Sequence, residues 1–479
     1  PVLLLALCAF GLLFGLALVK VGWFWALDFI VRTITRRDST RSMVAALGRS
    51  LGLDGGATVA LVPSPDGTLH TQPRLMEGEE FKRYAKNNRA THRGAFITLG
   101  KVNGTPWGYW TEKHVYITAS SRSGKGRDLI IPNLRRYPES VFVLDPKGEN
   151  CIATMRERIE LGNVVEVFDP YGLTGQLVST FNPLDGLIGG GQMVRGADYL
   201  AEALIIGEDD HWNESARGLI RAMVLHLLTA PAEQLRGRPR DLPTLRELLT
   251  GALDVTLEDM AASEALDGLV SRLAQTVLDL SPNERSGVLS TARRGTKWLD
   301  NPELAAMFRA GPAAVSFADL RDPEKRVSVF VCLPPDVFGT YPQVCRLLAT
   351  FALDTMMTSR TGRKRPAMFI LDELAQLQRL PIVERAFTLG AGYGVQVWAV
   401  FQSVEQARKL YPLDSLYGSS GVRCFFKVED PETCEYASKA ASGVLNPAAI
   451  RHLPEQAMLT LLDGANPLIV TRFDPPKAV

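Results

Sequence analysis

Short, unbroken apolar runs recur along the second half of this chain and within its first third, and their pattern sets the first expectations. SVFVLD at 140–145 and NVVEVFD at 163–169 read as strands buried on both faces of a parallel sheet. RVSVFVCLP at 326–334, AMFILDE at 367–373 and VQVWAVFQS at 395–403 repeat the pattern. A helix is expected between each successive pair, because parallel strands need a right-handed crossover. AFITLGKVNG and HVYITA, from Gly94 onward, add β-branched and aromatic runs bounded by glycine. Strands alternating with helical segments give an α/β fold class.

Between residues 188 and 312 the strand signals stop. WNESARGLIRAMVLHLL places Trp212, Ala216, Leu219, Ile220, Met223, Leu227 and Leu228 on one helical face. Thr244 with Glu247, and Ser281 with Glu284, have the spacing of a capping box and predict two further helix starts. The expectation is an all-α domain, 188–312, inserted into an α/β domain whose two parts are 94–187 and 313–479. Residues 28–93 read as a stem. Within it, TVALVPSPDG predicts a strand entering a turn, and FKRYAKNNRATHR is a basic stretch.

The first nineteen residues, PVLLLALCAFGLLFGLALV, carry no charge. As a helix they would extend roughly 28 Å, close to a bilayer core of about 30 Å. Lys20, Trp23, Trp25 and the arginines 32, 36, 37 and 41 follow. An interfacial aromatic belt backed by arginine predicts a transmembrane segment over 1–27, with the rest of the chain cytoplasmic. The chain begins on Pro1 rather than Met, so a further upstream span stays open.

Composition narrows the function classes. At 479 residues the chain exceeds what one core usually holds, and 46% apolar with 22% charged residues argues against disorder. A net charge of +1 excludes a global basic field, so any nucleic-acid contact must use local patches or a surface made by oligomerisation. The run Arg360, Arg363, Lys364 and Arg365 is a candidate for such a patch, with a solvated loop as the plainer reading. The six cysteines show no C-x-x-C spacing and the six histidines no H-E-x-x-H. That speaks against a zinc site or a disulfide framework and suits a reducing compartment.

The candidate chemistry starts in ASSRSGKGRDLIIPNL, 119–134. Ser121, Arg122, Ser123, Gly124, Lys125, Gly126 and Arg127 follow a strand and open a helix, the context in which backbone N–H groups and a lysine cradle phosphate. Two positions depart from G-x-x-x-x-G-K-[ST]: Ala119 replaces the first glycine and Gly126 the metal-binding hydroxyl. Pro132 is expected to end or kink the helix. Hydrolysis of a nucleotide also needs carboxylates at a neighbouring strand end. Asp372 with Glu373 is preferred over Asp145, because one acid can hold Mg²⁺ through water while the next activates the attacking water. Asp145 is then a neighbour in the same cleft. Gln402 ends the strand VWAVFQ, where it can touch both the γ-phosphate and that water. The predicted ligands are ATP and Mg²⁺.

The stretches SRSGKGRDLIIPNL, VFVLDPKGEN, FDPYG, FNPLD, HWNESA, SPNERSGVLSTA, MFILDELAQLQRLP and GVQVWAVFQS, between residues 115 and 430, jointly resemble the type IV secretion coupling proteins, the TraG-like ATPases of bacterial conjugation. In that family the loop commonly reads S-G-K-G, so the resemblance implies a working site despite Gly126. It implies a RecA-like P-loop NTPase domain and a homo-hexamer at the bacterial inner membrane. The hexamer would use ATP to pass DNA, with its relaxase, or protein substrates to the type IV secretion channel proteins. Some relatives carry an arginine just before the Gln402 strand that reaches the neighbouring subunit. TLGAGYGVQV has none here, which leaves Arg385, Arg408 and Arg423 as candidates. Two alternatives share the strand-end set: an FtsK–HerA-type DNA pump, and a docking receptor switched by nucleotide without sustained turnover.

Overall fold

The computed structural model describes residues 61–63, 69–71, 74–76, 80–84, 97–102, 105–188, 191–311, 314–358 and 365–473. The expected membrane span over 1–27, most of the stem, and Arg360, Arg363 and Lys364 of the basic run lie outside the described residues. Among those described, no helix is long and apolar enough to cross a membrane. The chain forms two compact units, Pro1–Gln72 and Pro73–Val479. In the first, β1 (Leu61–Pro63) and β2 (Leu69–Thr71) pair antiparallel.

The second unit is built on an 11-stranded sheet. Its strands are β3 (Ile97–Val102), β4 (Thr105–Tyr109), β5 (His114–Thr118), β6 (Val141–Leu144), β7 (Val164–Phe168), β8 (Val327–Val331) and β9 (Ala367–Leu371). β10 (Val395–Phe401), β11 (Ser420–Phe425), β12 (Ala457–Leu462) and β13 (Leu468–Thr471) complete it. The spatial order is β4-β3-β13-β12-β11-β5-β10-β9-β6-β8-β7. Pairing is parallel from β11 to β7 and antiparallel through β12, β13, β3 and β4.

The unbroken apolar runs have a direct cause, since both faces of the parallel strands are covered. On β6, Phe142 and Leu144 join one core while Val141 and Val143 join the other. On β9, Phe369 and Leu371 face the first core, Met368 and Ile370 the second. A strand with two dry faces has no polar side to alternate with.

Helices cover the two faces. After β6 comes α1 (Glu149–Glu160); between β7 and β8 lie α2 (Met193–Leu204), α3 (His211–Thr229), α4 (Leu242–Gly251) and α5 (Pro282–Thr296), among others. Among the described residues that stretch holds no strand, only an isolated bridge between Thr180 and Ala314. Its apolar side chains run continuously into the first sheet core. α3 departs from the one-face expectation. Its second half is buried nearly all round, from Ala222 through Leu228, because α2 and α5 both pack on it. Trp212, assigned to the buried face, is 44% exposed. Ser281 caps α5 as expected, accepting from Glu284 N. α4 begins earlier than the Thr244 box predicts. Asp241 is its cap, accepting from Thr244 N, with proline in the first turn.

α6 (Gln343–Met357) and α7 (Pro381–Leu389) carry the chain from β8 to β9 and from β9 to β10. Arg346 on α6 is 2% exposed. It donates to Glu202 O and Ala203 O at the end of α2, at 2.8 and 3.1 Å. It also donates to Leu377 O and Arg379 O beyond β9, at 2.6 and 2.8 Å. Burial pulls this guanidinium's pKa down to about 10.

Candidate active site

β5 leads into the loop that opens the site. Ala119 N donates to Phe401 O at 2.9 Å, which ties the loop's entry to the end of β10. Ser123 N bonds Ser120 O at 3.2 Å, and Asp128 N bonds Gly124 O at 2.8 Å. Gly124 has a φ of +86°, and a Cβ there would stand 2.7 Å from Asp128 Oδ2. Glycine is required at that position on both counts. Gly126 is not under the same constraint; a Cβ there would meet only Asn150 Oδ1, at 3.9 Å.

The helix after the loop opens with a π-helical turn over Gly126–Ile130, in which Ile131 N–H bonds Gly126 O, and continues as an α-helix over Ile131–Leu134. Pro132 therefore does not end the helix. It cannot donate to the carbonyl four residues back, and the wider turn just ahead of it relieves the ring's clash with that carbonyl.

Consecutive strand ends bring the candidate residues together. β10 lies between β5 and β9, so the strand carrying Asp372 is the second neighbour of the loop strand, not the first. Gln402, at the end of β10, occupies the gap. Lys125 Nζ reaches across to Asp372 Oδ1 and Glu373 Oε1, each at 2.9 Å. Gln402 Nε2 donates to Glu373 Oε2 at 2.8 Å. Lys125, Asp372 and Glu373 side chains are only 13, 13 and 17% exposed, so these contacts form largely out of water.

The electrostatics follow from that burial. Desolvation raises the Asp372 pKa, and the Lys125 charge opposes the rise without cancelling it. Burial alone would pull Lys125 down, but the two carboxylates outweigh it and hold the ammonium above its usual value. Asp372 Oδ1 meets Lys125 as a charge contact out of hydrogen-bond alignment and has no hydrogen-bond partner; buried Ser123 Oγ also has none. Glu373 sits at a φ of +60° and Gln378 at +55°, bracketing the tight turn Leu374–Leu377. Left-handed backbone at residues of this type costs on the order of 1–3 kcal/mol and needs support from its surroundings.

Asp145 is held differently. It is 2% exposed, its Oδ2 accepts from Cys151 N at 2.8 Å and its Oδ1 from Asn150 Nδ2 at 3.1 Å. Both oxygens are committed to the first turn of α1. Burial pushes its pKa up to about 6.

One cleft of about 580 Å³ is lined by Ser121, Arg122, Ser123, Gly124, Lys125, Gly126 and Arg127, and by Asp145, Asp372, Glu373 and Gln402. The loop residues, the carboxylates and the glutamine singled out from the sequence therefore line one cleft. Asn150, Pro335 and Gln376 join them without having been singled out. The three candidate arginines do not line the cleft. Arg385 meets Tyr199 Oη, Arg408 meets Glu432, and Arg423 pairs with Asp463 at 2.7 Å over the Tyr417 ring.

The family model for type IV secretory system conjugative DNA transfer matches residues 69–444. The chain belongs to this family. Among its relatives, the conjugal transfer protein TraG of Rhizobium radiobacter is 28% identical over 346 residues, 69% of this chain and 52% of that protein. The type IV secretion system-coupling protein VirD4 of Bartonella quintana is 25% identical over 341 residues, 68% of this chain and 50% of that protein. The chain thus spans about half the length of the curated relatives it matches. The conjugative coupling protein TrwBΔN70, in its unbound form, overlays with a TM-score of 0.64 at 19% identity, covering 85% of this chain and 94% of that one. TrwB with the ATP analogue ADPNP gives 0.63 at 18% identity, with the same coverage. A further TrwB structure holds ADP and Mg²⁺. This family member shares TrwB's α/β fold with its parallel sheet.

Proposed function

We propose that this chain is the motor of a type IV secretion coupling protein. It hydrolyses ATP through a RecA-like P-loop site and works as a homo-hexamer at the inner membrane. There it moves DNA, with its relaxase, or protein substrates toward the secretion channel. The observation that carries the reading is Lys125, on the phosphate loop, held 2.9 Å from both Asp372 and Glu373 at a strand end two places away.

In this arrangement the Lys125 ammonium is the counter-ion of two adjacent acids. A triphosphate offers it stronger acceptors, with charge-assisted bonds worth roughly 1.5–3 kcal/mol each. When Lys125 turns to the β- and γ-phosphates, Asp372 and Glu373 are released. Asp372 Oδ1, freed of the Lys125 ammonium, and Ser123 Oγ, which has no hydrogen-bond partner, would fit a metal held through water, with Asp372 as the main contact. When bound, Mg²⁺ neutralises charge on the transferring phosphoryl group. Glu373 then takes a proton from the attacking water, its Oε2 already oriented by Gln402. Gln402 stands between the loop strand and the acid strand, where loss of the γ-phosphate changes its partners. The helix Val404–Leu410 that follows carries that change onward. Asp145 shapes the cleft by fixing the start of α1. Residues 188–312 form the surface that meets the substrate, and a ring lines its pore with local basic residues, which the net charge of +1 permits.

The test is ATP turnover of the full chain with and without single- and double-stranded DNA, beside Lys125→Ala. The reading expects turnover that DNA stimulates and that Lys125→Ala abolishes. Nucleotide binding without turnover would favour a switched receptor, and most of the wild-type turnover surviving in Lys125→Ala would sink the site assignment. Family membership favours conjugation over a partitioning pump.

A further inference from the structure

Beneath the phosphate loop lies a charge cluster that the site as described does not use. Asp128 has a side chain only 1% exposed, yet two guanidiniums converge on it. Arg127 approaches side-on, with Nε 2.5 Å from Oδ1 and Nη2 2.9 Å from Oδ2. Arg472, just past the end of β13, places Nη1 3.1 Å from Oδ2. One buried carboxylate therefore has two cationic partners.

The two arginines are not equivalent. Arg472 is 7% exposed; it also donates to Ser123 O of the loop, lies 5.3 Å from the Phe426 ring centroid, and is fixed by its backbone N–H to Gln456 O at 2.7 Å. Its Nη1 stands 2.8 Å from where a Gly124 Cβ would be, so it is packed directly under the loop. Arg127 is 46% exposed and lines the nucleotide cleft, one residue beyond Gly126. Only Arg127 is placed to leave.

We infer that Asp128 and Arg472 form a latch that makes Arg127 available to the phosphates of a bound nucleotide. The inference rests on the nucleotide reading above and adds two positioning residues to it. The physical reason is the penalty on an unpaired buried charge. If Arg127 were the only partner of Asp128, turning to a phosphate would strand a carboxylate out of water, which is strongly unfavourable. Arg472 stays behind as the counter-ion, and the penalty disappears. The C-terminal strand thereby sets the affinity of a loop 349 residues away in sequence.

This predicts a pattern that mere bracing of the loop does not. ADP affinity of the full chain is measured by titration calorimetry, with thermal melts to check folding. Arg127→Ala is expected to weaken ADP binding by about tenfold or more, the loss of one charge-assisted contact. Arg472→Met is expected to weaken it comparably, because Asp128 then recaptures Arg127. Arg127→Ala combined with Arg472→Met and Asp128→Asn, which leaves no buried charge unpaired, should bind no worse than Arg127→Ala alone. Asp128→Asn combined with Arg472→Met should restore affinity to within about threefold of wild type, since nothing then holds Arg127 back. That pair also covers the case in which Arg472→Met alone does not fold, because it removes the buried charge together with its partner. Additive losses, or no recovery in the Asp128→Asn pair, overturn the latch while leaving the nucleotide site standing. A wild-type chain that binds no ADP overturns both.

Discussion

Replacing Asp145 by Asn should remove a penalty that the folded chain carries at neutral pH and is spared in acid, and the sign and size follow from burial. The folded chain holds the Asp145 proton up to about pH 6, against 3.8 for the carboxyl in water. A difference of that size corresponds to about 3 kcal/mol. Below about pH 4 the group is protonated in both the folded and unfolded chains, and there is no penalty. Between about 4 and 6 the unfolded chain loses the proton while the folded chain keeps it, so each step up in pH favours unfolding. Above about 6 the folded chain carries the full cost of a buried anion. Asparagine has nearly the same shape and no such proton. Urea unfolding of wild type and Asp145→Asn at several pH values should show the variant gaining, relative to wild type, up to about 3 kcal/mol between pH 4 and 7. Parallel curves would refute the reasoning. They would mean that Asp145 titrates in the folded chain as it does in the unfolded one and is ionised at neutral pH, where it would rival Asp372 for the proposed metal role.

Two further predictions bear on the same cleft. With Glu373 as the proposed base, Glu373→Gln keeps the hydrogen-bonding shape and should bind ATP but turn it over orders of magnitude more slowly; the same behaviour in Asp145→Asn instead would move the base to the end of β6. Gly124→Ala should destabilise the loop and weaken ADP binding, because it combines a φ of +86° with a 2.7 Å clash. Gly126→Ser, whose Cβ meets only Asn150 Oδ1 at an ordinary 3.9 Å, should leave the melting temperature unchanged, and equal losses in the two variants would contradict the geometry.

Much of the site was legible because it is built from strand ends, and strands with two dry faces announce themselves as apolar runs. Lys125, Asp372, Glu373 and Gln402 each stand beside such a run. The C-terminal strands were harder to read. β12 is AMLTLL, made of residues that favour helix as much as strand, and its antiparallel partners decide its conformation. β11 carries Arg423 in mid-strand, tolerable only because Asp463 and the Tyr417 ring receive it. The start of α4 was misread because Asp241 lies three residues ahead of Thr244 and takes the role that either could fill. The left-handed turn at Glu373 has no sequence signal, since glutamate does not favour that backbone. The Asp128–Arg472 pair is out of reach of any local pattern.

Arg346 has a mechanical consequence for whatever the helical segment senses. Its planar guanidinium grips the last carbonyls of α2 on one side and those of Leu377 and Arg379 on the other. Prising the two apart would strip several bonds from a buried charge, each worth roughly 1.5–3 kcal/mol, well above thermal energy. The joint is therefore stiff rather than hinged. A tilt of α2 would pull on Leu377, four residues from Glu373, through the same guanidinium. The chain has a push-rod running from its helical segment to the turn that carries Glu373.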